Sequence, residues 1–311
     1  MQTNSASMLK NSSILSAQTL VTPTSEWKRA GRSLRRAGLP IVALVILGIV
    51  GFFAVFGPQV SPKDPNRQTL VERLAAPMAA DREGVAKYPL GTDALGRDVL
   101  SRLIYGARVS ISVGLAAVFL GGLIGISAGM VAGYFGGILD DVIMRLADIQ
   151  LGFPFILLCI MVLVVLGQSL VNLVIVLGVG QWVTYARIAR GSTISERERE
   201  HVTASHALGA THARILRVGI LPNIIAPLIV IASFNVASVI LSEATLSFLG
   251  LGVPPTIPTW GGMLSESRDQ LLGGSWWLAV FPGLCIMFTV LSLNILGDWL
   301  RDFLDPRLRG R

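Results

Sequence analysis

The chain has 311 residues, 52% of them hydrophobic and only 14% charged. An average soluble domain is about 25% charged, so the balance argues against a water-soluble enzyme and points to lipid as solvent. The net charge of +7 is gathered beside apolar runs, where it fixes orientation and meets anionic lipid, so no nucleic-acid partner is expected.

In chain order, residues 1–24 are rich in Ser, Thr, Asn and Gln with no apolar period, and the tail 1–37 is expected to be partly disordered. Six apolar runs follow, at 39–60, 109–135, 142–166, 170–188, 224–251 and 276–296. Each approaches the roughly 20 residues that cross a hydrocarbon core. The expected fold class is therefore an all-α membrane protein with six transmembrane helices. The first helix, 38–60, is too long for a signal-peptide core and lacks a small-residue cleavage site, so it reads as an uncleaved anchor. A connection at 61–108 follows. Its first part, 61–86, reads as a polar loop. Its second part, near 93–110, has apolar residues at Leu95, Val99, Leu103 and Ile104, which predicts an amphipathic helix lying on the membrane surface.

A five-helix core is expected over 109–298. Its first helix carries Gly121, Gly125, Gly129 and Gly133, one glycine every fourth residue, a stripe that lets another helix approach closely. Asp148 and Pro154 interrupt the third run, and Asp141 and Arg145 are spaced to pair along a helix. Glu243 lies some 20 residues into the fifth run, which places it near a membrane interface. The stretch 253–274 is too rich in Pro and Gly for a span, and Trp276, Trp277 and Trp299 read as interfacial anchors of the last one. Cys159 and Cys285 fall inside spans, where free cysteine acts as a small apolar residue. Seventeen of the 26 Lys and Arg residues lie in the tails, at Arg145, or at 187–217, while the other face is nearly neutral. By the positive-inside rule, both termini (1–37 and 299–311) and the 191–222 segment are cytoplasmic.

The segment from Arg187 to Asn223 is the one long charged interruption between apolar runs. It holds six arginines, three glutamates and all three histidines, yet keeps a helical apolar spacing. Glu200 to Leu208 is expected to form a short helix ended by Gly209. Thr211 can cap the next turn, and Pro222 opens the fifth span without wasting a donor. Such an element is a docking surface for a soluble partner.

Catalytic chemistry is missing. There is no G-x-x-x-x-G-K-[ST] phosphate loop, no HExxH, no CxxC pair and no GxSxG. His201, His206 and His212 are not spaced to share a helix face, so no metal site and no cofactor are expected. A stand-alone channel or secondary carrier would want intramembrane charges or broken helices, and only Pro154 and Glu243 hint at either.

The charged segment resembles the coupling loop of ABC importer permeases, whose pattern is E-A-A, three residues, Gly, nine residues, I-x-L-P. Here Thr203-Ala204-Ser205 precedes Gly209-Ala210, and Gly219-Ile220-Leu221-Pro222 closes the register. Ala204, Gly209, Leu221 and Pro222 match; Thr203 stands for the glutamate, Ser205 for the second alanine and Gly219 for the isoleucine. Further stretches, YPLGTDALGRDVLSRLIYGARVS from Tyr88, LSEATLSFLGLGVPP from Leu241, PTWGGML from Pro258 and LNILGDWLRDFLDPRLR from Leu293, are similar to the dipeptide/oligopeptide/nickel permeases. The resemblance covers 39–311 and is closest to the second, C-type, permease subunit. It implies the type I importer permease fold, with Thr203, Ala204, Ser205, Gly209, Ala210, Leu221 and Pro222 in an ATPase-coupling loop. It also implies a bacterial inner-membrane location. The implied partners are a second permease subunit, two cytoplasmic ATPases that supply the hydrolysis, and an external substrate-binding protein. The implied cargo is a di- or oligopeptide, with nickel, glutathione or another small solute as alternatives.

Overall fold

The computed structural model describes residues 38–80 and 86–304. The expected tail at 1–37 and most of that at 299–311 lie outside them. Among the described residues, five helices are long and apolar enough to cross a membrane, or six if one bent pair is counted as a single span.

Helix α1 (Leu39–Val60) starts with Pro40 in its first turn, where a missing N–H costs nothing. It buries only Pro40, Ala43 and Gly57, so it stands at the rim of the bundle. The described residues of 61–98 then form a small cap before the next helix. A 3-10 turn (Leu70–Glu72) leads to a two-stranded antiparallel hairpin, β1 (Ala79–Ala80) with β2 (Ala86–Tyr88). Glu72 ties the two together: it accepts from Lys87 Nζ at 2.5 Å and from the Tyr88 hydroxyl. The bonds from Lys87 and Tyr88 hold the Glu72 carboxyl below the ordinary carboxylate value. A depressed acid stabilises the fold above its unfolded pKa, and that contribution is lost as pH falls through the folded value. Amide exchange in the two strands, 79–80 and 86–88, corrected for its intrinsic rate, should therefore quicken only below the ordinary carboxylate range. In Glu72→Gln that pH dependence should vanish.

Helix α2 (Val99–Phe135) is capped by Asp98, whose carboxylate accepts from the Ser101 N–H at 2.9 Å. It is one continuous helix of 37 residues. The amphipathic surface helix expected near 93–110 does not form. Leu95 lies in the turn before α2, and Val99, Leu103 and Ala107 pack inward against Trp260, Met263, Trp277 and Leu278. The apolar period there is a packing face inside the protein. Two arginines at this end are enclosed with acids. Arg97 and Arg102 both reach Asp93 and Glu266, at 2.5 to 2.7 Å. Glu266 belongs to a short helix, α8 (Trp260–Ser267), capped by Thr259 and folded back against α2.

The third run is two helices, α3 (Gly137–Leu151) and α4 (Phe155–Leu166), bent by 88° at Gly152–Pro154. The Asp141–Arg145 pair is not made. Asp140 instead takes Arg190 of α5 in a two-pronged contact of 2.5 Å, reaching fifty residues along the chain. Helix α5 (Leu170–Arg197) runs parallel to α2, and the glycine stripe is where they touch. A Cβ at Gly121 would sit 2.6 Å from the Gly178 carbonyl, and one at Gly133 2.6 Å from that of Arg190. Gly125 and Gly129 face the carbonyls of Trp182 and Ala186 in the same way. Four glycines thus meet four carbonyls, each row stepping by four residues. Such an approach allows Cα–H···O contacts that any side chain would prevent.

Helix α6 (Glu200–Ala207) is followed by a single rod, α7 (His212–Phe248). Within α7, Ile215–Ile220 is π-helical, and the Leu221 N–H bonds back to Leu216. Pro222 therefore stands in the first turn of the α-helical part of that rod, Leu221–Phe248, directly after the π turn. The wider π turn releases the hydrogen bond that a proline would break. Glu243 is fully buried between α2 and α7, accepting from Ser110 at 3.2 Å and Ser247 at 2.7 Å. It is enclosed by protein on all sides. Helix α9 (Trp277–Leu304) closes the bundle. Trp277 is no interfacial anchor either: it is buried and donates to the Thr92 carbonyl at 3.2 Å. Trp299 stacks on Phe303.

Candidate coupling surface

The segment between α5 and α7 is short and polar, and its local geometry follows from a few residues. Helix α6 ends in two reverse bonds, Gly209 N–H to His206 O at 3.0 Å and Ala210 N–H to Ser205 O at 3.1 Å. This is the Schellman pattern, which needs a left-handed residue after the helix. Gly209 supplies it with φ +80°, a region open to glycine at little cost. Thr211 then caps α7, its hydroxyl accepting from the Arg214 N–H at 3.4 Å. The result is a stiff elbow of two helices.

Its inner side is seated in the bundle. Val202 is buried, and Ala210, Leu216 and Leu221 pack against the same cluster as Ile215 and Ile220. His201 and the Asn223 amide both approach the Gly219 carbonyl, at 3.3 and 2.7 Å, tying α6 to the π turn. Glu196 at the end of α5 is buried and pairs with Arg199 at 3.0 Å. The Tyr134 hydroxyl meets His212 Nδ1 at 2.8 Å, and Arg197 donates to the Gly133 and Tyr134 carbonyls at 3.1 Å. Through these contacts the elbow is fixed to the ends of both α2 and α5.

Its outer side carries the rest of the expected residues. Thr203, Ala204, Gly209 and Pro222 are exposed, Ser205 is half-buried with its hydroxyl on the His201 carbonyl, and Ala210 and Leu221 face inward. The seven residues thus divide into an exposed set and a set that seats the elbow. Sequence reasoning missed Leu208. It caps α6 and is 88% exposed, a large apolar side chain at the tip of a charged element. Its position one residue before the left-handed glycine was the available signal. His206 and His212 stack edge to face with centroids 5.7 Å apart and carry no third ligand; among the described residues no group of three or more metal-binding side chains assembles.

Long apolar helices around a rigid polar elbow define a multi-pass membrane permease. Its backbone follows that of the MetNI methionine ABC transporter in inward-facing conformations. The TM-score is 0.53 at 20% identity, covering 66% of this chain and 96% of that one. The chain belongs to the binding-protein-dependent transport system inner membrane component family, whose model matches residues 125–310. A second model, the N-terminal TM domain of oligopeptide transport permease C, matches residues 25–77. Among its relatives is the di/tripeptide transport system permease protein DppC of Pseudomonas aeruginosa, 43% identical over 86% of this chain and 88% of that protein. The dipeptide transport system permease protein DppC of Escherichia coli K12 is 43% identical over 97% of this chain and 99% of its own length. The Bacillus subtilis protein of the same name is 40% identical over 90% and 85%.

Proposed function

We propose that this chain is the C-type half of the translocation path of an ATP-driven importer, and that it carries di- or oligopeptides. Its second half is another permease subunit. Two cytoplasmic ATPases drive the pair, and an external binding protein delivers the cargo. Both termini and the α6–α7 elbow face the cytoplasm in this reading, which the skewed placement of Lys and Arg supports. The observation that carries this reading is the elbow, a surface rigid enough to pass on a push and seated on the ends of α2 and α5. Thr203, Ala204, Leu208, Gly209 and Pro222 form the face that meets the ATPase, while Ser205, Ala210 and Leu221 set its position. Closure of the ATPase pair on ATP displaces the elbow and biases the bundle between two orientations.

The peptide reading follows the names of the relatives, three of which match most of the chain at 40% to 43% identity. Co-expression with candidate ATPase, second-permease and binding-protein subunits provides the test. The ATPases should co-purify with the chain, and proteoliposomes should take up a labelled dipeptide only with ATP and binding protein present. The purified chain alone should show no nucleotide turnover. ATP-independent uptake by the chain alone would replace the importer reading with that of a carrier.

A further inference from the structure

Helix α1 meets the bundle near its two ends and stands off between them. Ala43 is buried near its start. Near its end, a Cβ on Gly57 would sit 3.2 Å from both the side chain and the carbonyl of Ile104, so α1 and α2 are in close contact there. Leu47, Val50 and Ala54 continue the face of Ala43 at helical spacing, yet they are only half-buried. A groove of about 310 Å³ accounts for this. It runs between α1 and the facing sides of α2 and α9, with Trp260 of α8 in its wall.

The walls set its depth. Ile46 and Phe53 lie fourteen and seven residues before Val60, the end of α1, or about 21 and 10 Å along the helix. Phe281 and Phe288 lie four and eleven residues beyond Trp277, the start of α9, or about 6 and 17 Å. Those helix ends stand beside the cap, so the groove lies mostly in the half of the hydrocarbon core nearer the cap. Every wall residue is apolar. Trp260 brings the one strong side-chain donor, and its N–H is already given to the Leu103 carbonyl at 3.0 Å. Cys285 adds only a thiol, a weak donor. Water, an ion or a peptide group would find no partner there, and a helix about 10 Å across is too wide to enter. Ile49, Leu284 and Phe288 line the groove and are also exposed, so it opens sideways onto the surface that lipid covers.

We propose that this groove binds one acyl chain of a membrane phospholipid, held as a wedge between α1 and the rest of the bundle. At a water-sized share of about 30 Å³ for each methylene, the cavity takes on the order of ten of them. The rest of the lipid and its head group stay in the leaflet nearer the cap. The wedge supplies contacts that α1 does not make with protein, so the seat of α1 depends on a lipid. The site needs only a chain that spans a membrane; neither cargo nor ATPase enters into it.

The test uses the chain assembled with its partner permease and ATPases, loaded with phosphatidylethanolamine. The complex is washed in detergent until loosely held lipid is gone, then weighed by native mass spectrometry. Cys285→Trp and Ile49→Trp fill the groove from α9 and from α1. Each should lose one bound lipid relative to the parent, with the fully loaded species falling several-fold. Phe119→Trp, on an exposed part of α2 outside the groove, should lose none. In the parent, phosphatidylethanolamine carrying a diazirine midway along one chain should cross-link within 46–53 and 281–288, a result that needs no variant to fold. A parent without bound lipid, folded filled variants at full loading, or cross-links confined to other segments overturn the proposal. So does a lipid held by the isolated chain and lost on assembly, since the partner permease then covers the groove. A detergent molecule that added phosphatidylethanolamine does not displace overturns it as well.

Discussion

Replacing Gly209 by valine should abolish ATP-driven uptake while leaving the membrane bundle folded. Gly209 holds φ +80°, and no atom lies within 4 Å of where a Cβ would be, so the effect is one of backbone conformation and not of crowding. A left-handed residue with a Cβ costs about 1–2 kcal/mol, and a β-branched one sits at the upper end or beyond. That shifts the elbow's population away from its native shape by roughly ten- to thirty-fold. The two Schellman bonds to His206 and Ser205 fail together, and with them the angle between α6 and α7. Val202, Ile215 and Ile220 remain buried behind the elbow, so thermal stability of the purified chain should change little. Asparagine tolerates the left-handed region and should retain most uptake. Uptake and ATPase co-purification, measured side by side on both variants, check this. Full uptake by Gly209→Val with the ATPase still bound would remove the coupling role.

A larger loss is expected at the glycine stripe, and it falls on folding instead of coupling. In Gly129→Leu, the first side-chain atom would collide with the Ala186 carbonyl and Cα, backbone atoms that cannot rotate away. Overpacking a core by one group costs about 1–3 kcal/mol. Here four carbon atoms enter a helix contact with no room for one, so α2 and α5 must separate. The chain should fail to accumulate as a monodisperse species in detergent. Gly48→Leu on α1, where nothing lies within 4 Å, should behave as the parent. Size-exclusion profiles and thermal unfolding of the two variants decide the matter.

Much of this architecture is legible in the sequence, because lipid as solvent makes apolar length a direct signal. The runs at 39–60 and 170–188 mark α1 and the apolar part of α5, and Pro154 marks the break between α3 and α4. The elbow is legible for a different reason: a glycine between a short polar helix and a threonine cap has few other conformations to adopt. What escapes is whatever depends on a distant partner. An i,i+4 spacing suggests that Asp141 pairs with Arg145, but the pairing goes to Asp140, because α5 brings Arg190 to that turn. Counting residues places Glu243 near an interface, yet cannot show that Ser110 and Ser247 enclose it there. Leu103 and Ile104 have the period of a surface helix, and only the folding back of α8 turns that face inward. The π turn leaves no trace in apolar spacing at all.

That turn also sets a phase. Because Ile215–Ile220 takes up one residue more than an α-helix would without interrupting α7, it rotates everything before it about the rod by roughly 100° relative to an unbulged helix. The azimuth at which Thr203, Ala204 and Leu208 are presented is therefore written into α7 and not into α6. A chain shortened by one residue within 215–220 would keep its composition, its spans and its elbow, and would aim the elbow at the wrong side of the bundle.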